Sequence, residues 1–404
     1  MTKKGLHSLS VKNFGVLGDV SVQLSRLNGL VGPNGSGKTS LLRVIQFLGD
    51  AARSGLPSAV GSKVALDQIR TRAAATAVKL REPVIEIHVA AVVTSHAHAH
   101  ALDEYTLRLK PSIIRQSRFF GHDETFRFKR TKQQGRRITL SGGKLHVFDE
   151  EKPTKRATQL DSSAFGLAVL PQLGPNEGGA EVRKIQELFT TFRVFDIDPK
   201  KAREPSDIRE PTPLQPDAGN LAAFLQFLRT EHEPIFTDLV RDARAMVPGL
   251  RNLVLRSVGG AVDAVTVDIV DEGRAGATPL ADASFGTVRA LALLAMLYDP
   301  DPPILTCIEE IDHGFHPYVF DRLVELLREA SARTQFIIAT HSPALVNRLR
   351  PHELIVCERD AKTGLARIPA VPQAEVQRIY DAGGGDGYGL GELWFSGTLG
   401  GVPK

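Results

Sequence analysis

The residues Gly32-Pro33-Asn34-Gly35-Ser36-Gly37-Lys38-Thr39 restrict what this chain can fold into more than any other stretch. They follow an apolar run (LNGLV) and open a pattern with helical spacing that continues to about Leu48, giving the order strand, glycine loop, helix. Glycines there let successive backbone N–H groups curl around an anion, and the helix start adds a favourable dipole. The lysine reaches terminal phosphates and the Thr39 hydroxyl suits a magnesium ion. A chance glycine turn would not require Lys and Thr at those two positions. The candidate nucleotide-binding set is therefore this loop together with Ser40, with Thr39 also a candidate metal ligand.

A second constellation is Ile304-Leu305-Thr306-Cys307-Ile308-Glu309-Glu310, an apolar strand ending in two carboxylates. Ligands of open α/β sheets sit at strand ends. Glu309 is the candidate second metal ligand and Glu310 the candidate general base that polarises an attacking water. Two acidic residues would also suit the start of a following helix. A third strand, QFIIA, runs into Thr340-His341-Ser342-Pro343, so His341 stands where it can touch a terminal phosphate and report its loss.

At 404 residues the chain exceeds what one hydrophobic core supports, and 42% hydrophobic with 24% charged residues is the balance of a folded protein rather than a disordered one. The longest apolar run, about 290–298, is too short to span a bilayer, and the first residues lack the apolar stretch of a secretory leader. No membrane association and a cytoplasmic location are expected. Cys307 and Cys357 each lie inside an apolar strand-like run and are expected to be buried thiols. Alternating strand and helix patterns in the last third predict a mostly parallel sheet covered by helices. Short strands separated by turn residues predict an inserted antiparallel lobe. The expected division is an N-terminal ATPase lobe over 1–80, the β-rich insertion over 81–160, a helical or irregular connector over 161–250, and a C-terminal lobe over 251–404.

Net charge is +4, yet 108–144 holds eleven Lys or Arg against Asp123 and Glu124, so the rest of the chain is net acidic. Phe126 and Phe128 alternate there with Arg127 and Lys129. Such a strand could track nucleic-acid phosphates, or could be a sheet with one packed and one solvated face. The run His96-Ala97-His98-Ala99-His100 would place three imidazoles on one strand face, with no fourth ligand nearby.

Several segments together resemble a family. VKNFGVLGDVSVQL, VGPNGSGKTSLLRV, DAGNLAAFLQFL, IEEIDHGFHP, ATHSPALV and the late GLGELWFSGTLGGVP are similar to ABC-type ATPases of the RecF, SMC and OLD kind, including bacterial stand-alone ATPases of anti-phage defence. The resemblance implies an α/β P-loop NTPase of ABC type with a helical signature lobe. Its implied cofactors are ATP and Mg2+. The signature position reads Leu280-Ala281-Asp282-Ala283-Ser284-Phe285-Gly286-Thr287-Val288-Arg289, where Ser284 and Gly286 keep the Ser-x-Gly that grips a second copy's nucleotide; the family more often has a small or acidic residue where Phe285 stands. Leu140-Ser141-Gly142-Gly143-Lys144 spells a signature more closely, but between two strand patterns it reads as a hairpin turn. The Q-loop glutamine stays open among Gln68, Gln116 and Gln172. The implied assembly is a homodimer or higher homo-oligomer closed by sandwiched ATP, working with a separate effector, a nuclease or TOPRIM-like protein encoded nearby. The alternative is a RecF-like DNA-repair clamp that uses 108–144 on DNA.

Overall fold

The computed structural model describes residues 4–60, 71, 84–114, 117–129, 135–149, 155–161, 163–174, 178–208, 213–259, 263–384 and 387–401. The chain divides into two compact units, Met1–Phe192 with Pro351–Lys404, and Arg193–Arg350.

The first unit is built on an eight-stranded sheet of β1 (Gly5–Phe14), β2 (Leu17–Gln23), β4 (Ile85–Val92), β5 (Asp103–Ile114), β6 (Ser117–Lys129), β7 (Gly135–Ser141), β8 (Lys144–Asp149) and β9 (Lys155–Gln159), in the order 2-1-4-5-6-7-8-9. Every pairing in it is antiparallel. Alternation sets one face inward: Tyr105, Phe126, Phe128, Ile138 and Leu140 are buried, and the rings of Tyr105 and Phe126 meet at 5.0 Å. The strands after residue 84 continue the sheet opened by β1 and β2, through the register Val11↔Ile87. Ser141 pairs with Lys144 across Gly142 (φ 53°) and Gly143 (φ 78°), a two-residue turn that needs positive φ twice and so takes glycine twice. The signature-like Leu140–Lys144 stretch is thus a hairpin. Residues 95–101 run through tight turns rather than along a strand face, with a lone bridge between His98 and Ala101.

The same unit holds β3 (Leu27–Val31), every residue of which is buried, paired in parallel with β17 (Leu354–Val356). A short antiparallel pair, β18 (Glu358–Arg359) and β19 (Ala366–Arg367), follows. In the second unit β10 (Arg193–Phe195), β15 (Leu305–Ile308) and β16 (Gln335–Thr340) pair in parallel, and β15 and β16 are buried throughout. An antiparallel sheet of β11 (Ser206–Asp207), β13 (Ala264–Asp271) and β12 (Leu250–Val258), with β14 (Ala277–Pro279) on β13, completes its strands.

Among the described residues, parallel pairing is therefore confined to five strands, which corrects the expected mostly parallel sheet. Tight turns such as 141–144 return the chain at once and force antiparallel neighbours, whereas parallel pairs need a long crossover. The apolar run near 290–298 is the second half of the helix Phe285–Leu297, buried without interruption from Val288 onward. Both cysteines are buried thiols, and burial pushes the Cys357 thiol up to about 12. No helix among the described residues is long and apolar enough to cross a membrane.

Candidate functional site

In the first unit, β3 delivers the chain into the loop and the helix Lys38–Ser54 takes it out. Gly35 (φ 77°) and Gly37 (φ 98°) occupy the left-handed region that side chains resist, so the curl of the loop is written into those two positions. Gly32 is small for another reason: a Cβ there would lie 2.1 Å from the Cys357 carbonyl oxygen. A Cβ on Gly37 would likewise meet that of Ala366 at 2.6 Å. The segment from Cys357 to Ala366 thus backs the loop, which its motif alone does not reveal.

The helix start carries neither a side-chain cap nor an acidic residue in its first turn, so no carboxylate there opposes the pull of its positive dipole on an anion. Lys38 is buried and donates from Nζ to the carbonyl oxygens of Gly32 at 2.7 Å and Pro33 at 3.0 Å, which folds the ammonium back over the loop. Ser36 is wholly buried and its hydroxyl has no hydrogen-bond partner. An orphaned buried hydroxyl costs on the order of 1–3 kcal/mol, a cost that a ligand oxygen would offset. Thr39 is exposed and Ser40 half-buried at the same helix start. These residues fit a nucleotide's phosphates.

In the second unit, the carboxyl ends of parallel strands bring the other candidates together. The Glu309 N–H donates to Phe195 O at 3.0 Å and the Ile311 N–H to Ala339 O at 3.1 Å, so the ends of β10, β15 and β16 are pinned side by side. Glu309 and Glu310 leave β15 there, and His341 leaves β16. Thr340 is buried and its hydroxyl accepts from the Ser342 N–H at 3.0 Å, while Ser342 caps the turn that follows. Glu310 has φ 47°, a left-handed conformation that costs a non-glycine residue about 1–2 kcal/mol. Its carbonyl oxygen accepts two bonds, from the His313 N–H at 2.9 Å and from Arg289 Nη2 at 2.8 Å. Its carboxylate stays exposed, 3.3 Å from His313 Nδ1.

Ser284 is the N-cap of the helix Phe285–Leu297, its Oγ accepting from the Thr287 N–H at 3.1 Å. A Cβ on Gly286 would fall 2.5 Å from the Gly314 carbonyl oxygen, so the two loops interlock through glycine. The residue that departs from the resemblance has a job here: the Phe285 ring packs against His313 at 5.0 Å and under the Arg289 guanidinium at 5.9 Å. Ser284, Gly286, Thr287, His316 and Tyr318 line part of a cavity of about 310 Å³.

These two geometries can be set beside known proteins. A family profile described as "AAA domain, putative AbiEii toxin, Type IV TA system" matches residues 27–347, more than half of the chain. The chain belongs to this family. The matched stretch contains the phosphate loop, the Ser-x-Gly, both carboxylates and His341. No curated protein matches the chain. Among solved structures, the Smc head domain of Pyrococcus furiosus with an extended coiled coil, bound to the C-terminal domain of ScpA, is 12% identical, with a TM-score of 0.50 over 94% of this chain and 99% of that one. An Smc head bound to the C-winged helix domain of ScpA is 15% identical (TM-score 0.49; 93% and 99% covered), and the SMC head domain of Thermotoga maritima is also 15% identical (TM-score 0.41; 92% and 99% covered). At such identities the likeness shows the fold alone. The fold is that of a P-loop ATPase with an SMC-like head.

The basic segment looks different in three dimensions. Phe126 and Phe128 lie in the core and have no face to offer a base. Arg108 pairs with Glu86 at 2.7 Å, Arg127 with Glu104 at 3.2 Å, Lys110 with Asp123, and buried Arg136 with Asp149 and Glu181. Arg115, Arg130 and Lys132, with Gln68 and Gln116, lie outside the described residues. Arg289 and His313 lie in stretches quoted from the sequence but receive no role there; the contacts of Glu310 reveal one.

Proposed function

We propose that this chain binds ATP with magnesium and hydrolyses it, and that the bound nucleotide gates its assembly. The observation that carries the reading is the phosphate loop: two positive-φ glycines, a buried lysine and a buried hydroxyl without a partner, ahead of a helix start free of acid. Lys38 would hold phosphate charge, with Gly32, Pro33, Asn34, Gly35, Ser36, Gly37 and Ser40 as its cradle. Thr39 and Glu309 would hold magnesium, which when bound neutralises phosphate charge. Glu310 would accept the proton of the attacking water and His341 would sense the terminal phosphate. Ser284 and Gly286 would face the nucleotide of a second copy, closing a homodimer or higher homo-oligomer that hydrolysis opens.

The reading extends to a separate effector encoded nearby, nuclease or TOPRIM-like, regulated by this ATP cycle in anti-phage defence in the cytoplasm. The P. furiosus Smc head, which carries a bound partner domain, supports looking for such an effector, and the family description, which names a toxin system, fits a defence setting. Use of 108–144 on DNA, as in a RecF-like clamp, has less support, because Arg108, Lys110, Arg127 and Arg136 are each matched by a carboxylate and Phe126 and Phe128 are buried.

The test is ligand-induced stabilisation. At about 100 times Kd, ATP should stabilise the wild-type chain by about 2.7 kcal/mol, visible as a rise in Tm. Lys38→Ala should abolish that rise while leaving the unliganded Tm close to wild type. An equal rise in the variant would remove the phosphate-loop assignment.

A further inference from the structure

Arg289 is 3% exposed, on the first turns of the helix that Ser284 caps. Burial lowers its pKa, against the opposing pull of Glu310, Asp196 and Asp312. A guanidinium placed inside a protein needs a compensating task, since an apolar side chain of similar volume would pack there without desolvating a charge. Packing alone does not account for its bonding: Nη2 donates to the Glu310 carbonyl oxygen at 2.8 Å, whereas Nε, also buried, has no hydrogen-bond partner. The carbonyl it grips belongs to Glu310, the non-glycine residue held at φ 47° beside the strand ends. The Phe285 ring under the guanidinium joins the same contact to the residue between Ser284 and Gly286.

We infer that Arg289 is a positioning residue: it holds the Glu310 peptide in its left-handed posture and makes that posture depend on where the Ser284–Gly286 helix start sits. The inference rests on the proposed role of Glu310 as general base. A displacement of the helix start, such as contact with a second copy's nucleotide would produce, is delivered through the rigid guanidinium plane, stacked on Phe285 and bonded through Nη2, to the peptide that aims the carboxylate. Arg289 touches no reacting atom itself. Its loss should therefore act on turnover and spare nucleotide binding, because the phosphate loop does not use it.

The experiment compares wild type with Arg289→Met, Arg289→Lys and Arg289→Ala, measuring the ATP-induced Tm shift, KM and kcat on each full-length chain. The expected result is an unchanged Tm shift and KM, with kcat lowered about 10- to 100-fold, the size of effect that a small misplacement of a catalytic group produces. Low-millimolar guanidinium should restore part of the kcat of Arg289→Ala, while sodium chloride and urea at the same concentration should not. If the Ala and Met variants do not fold, Arg289→Lys carries the test, since it keeps charge and a donor but loses the rigid guanidinium plane over the Phe285 ring. Wild-type kcat in Arg289→Met or Arg289→Lys, or guanidinium rescue no better than urea, would overturn the inference alone. A wild-type chain that binds ATP without turning it over would instead overturn the general-base reading on which the inference stands.

Discussion

The phosphate loop and the carboxylate loop reach a defined shape by opposite means. The first is eight consecutive residues whose curl is set locally, by Gly35 and Gly37 at positive φ. The second gathers segments around 284–289, 309–314 and 340–342, and holds a glutamate, not a glycine, in the left-handed region. A glutamate held there needs a scaffold of hydrogen bonds, here from His313 and Arg289, and changes when the scaffold moves. In the proposed reading, binding falls to the phosphate loop and timing to the carboxylate loop.

Substitutions can break that contrast. The largest effect is expected from Glu310→Gln, which removes a proton acceptor while keeping size and backbone. Turnover should fall on the order of 10²- to 10⁴-fold with the ATP-induced Tm shift retained. A variant that lost both together would mean that Glu310 serves binding, and the division of labour would fail. A smaller effect is expected from Gly37→Ala, where φ of 98° and the 2.6 Å approach of Ala366 oppose any side chain. Stability by chemical denaturation should drop about 1–3 kcal/mol and the ATP response should weaken. Full stability in that variant would show that the loop does not depend on glycine.

The phosphate loop was legible because its determinants are contiguous: strand, glycines, Lys38 and Thr39 follow one another. The hairpin at Ser141–Lys144 was legible for the same reason, since two glycines between alternating strands have one economical geometry. The basic segment misleads because a window along the chain counts only Asp123 and Glu124, whereas the sheet brings Glu86 and Glu104 from neighbouring strands onto Arg108 and Arg127. The extent of the antiparallel sheet was hidden likewise: β1 meets β4 across more than sixty residues, and no local pattern announces that pairing. Arg289 follows Ser284 at an unremarkable spacing, and its partner, the Glu310 carbonyl, is a backbone group that sequence never shows.

The crowding at Gly286 decides which variant can report on nucleotide-gated assembly. Gly286→Asp would put charge at the Ser-x-Gly, but any Cβ there strikes Gly314, so a loss of assembly could come from local damage. Ser284→Asp is cleaner, because aspartate keeps the N-cap while placing a negative charge where a second copy's phosphate would arrive. The direct measurement is molar mass by size-exclusion chromatography with light scattering on Glu310→Gln, with and without ATP and magnesium, beside the Glu310→Gln/Ser284→Asp double variant. ATP should at least double the mass of Glu310→Gln and leave the double variant at its unliganded mass. Equal mass for Glu310→Gln in both conditions, with ATP binding confirmed by its Tm shift, would contradict nucleotide-gated assembly.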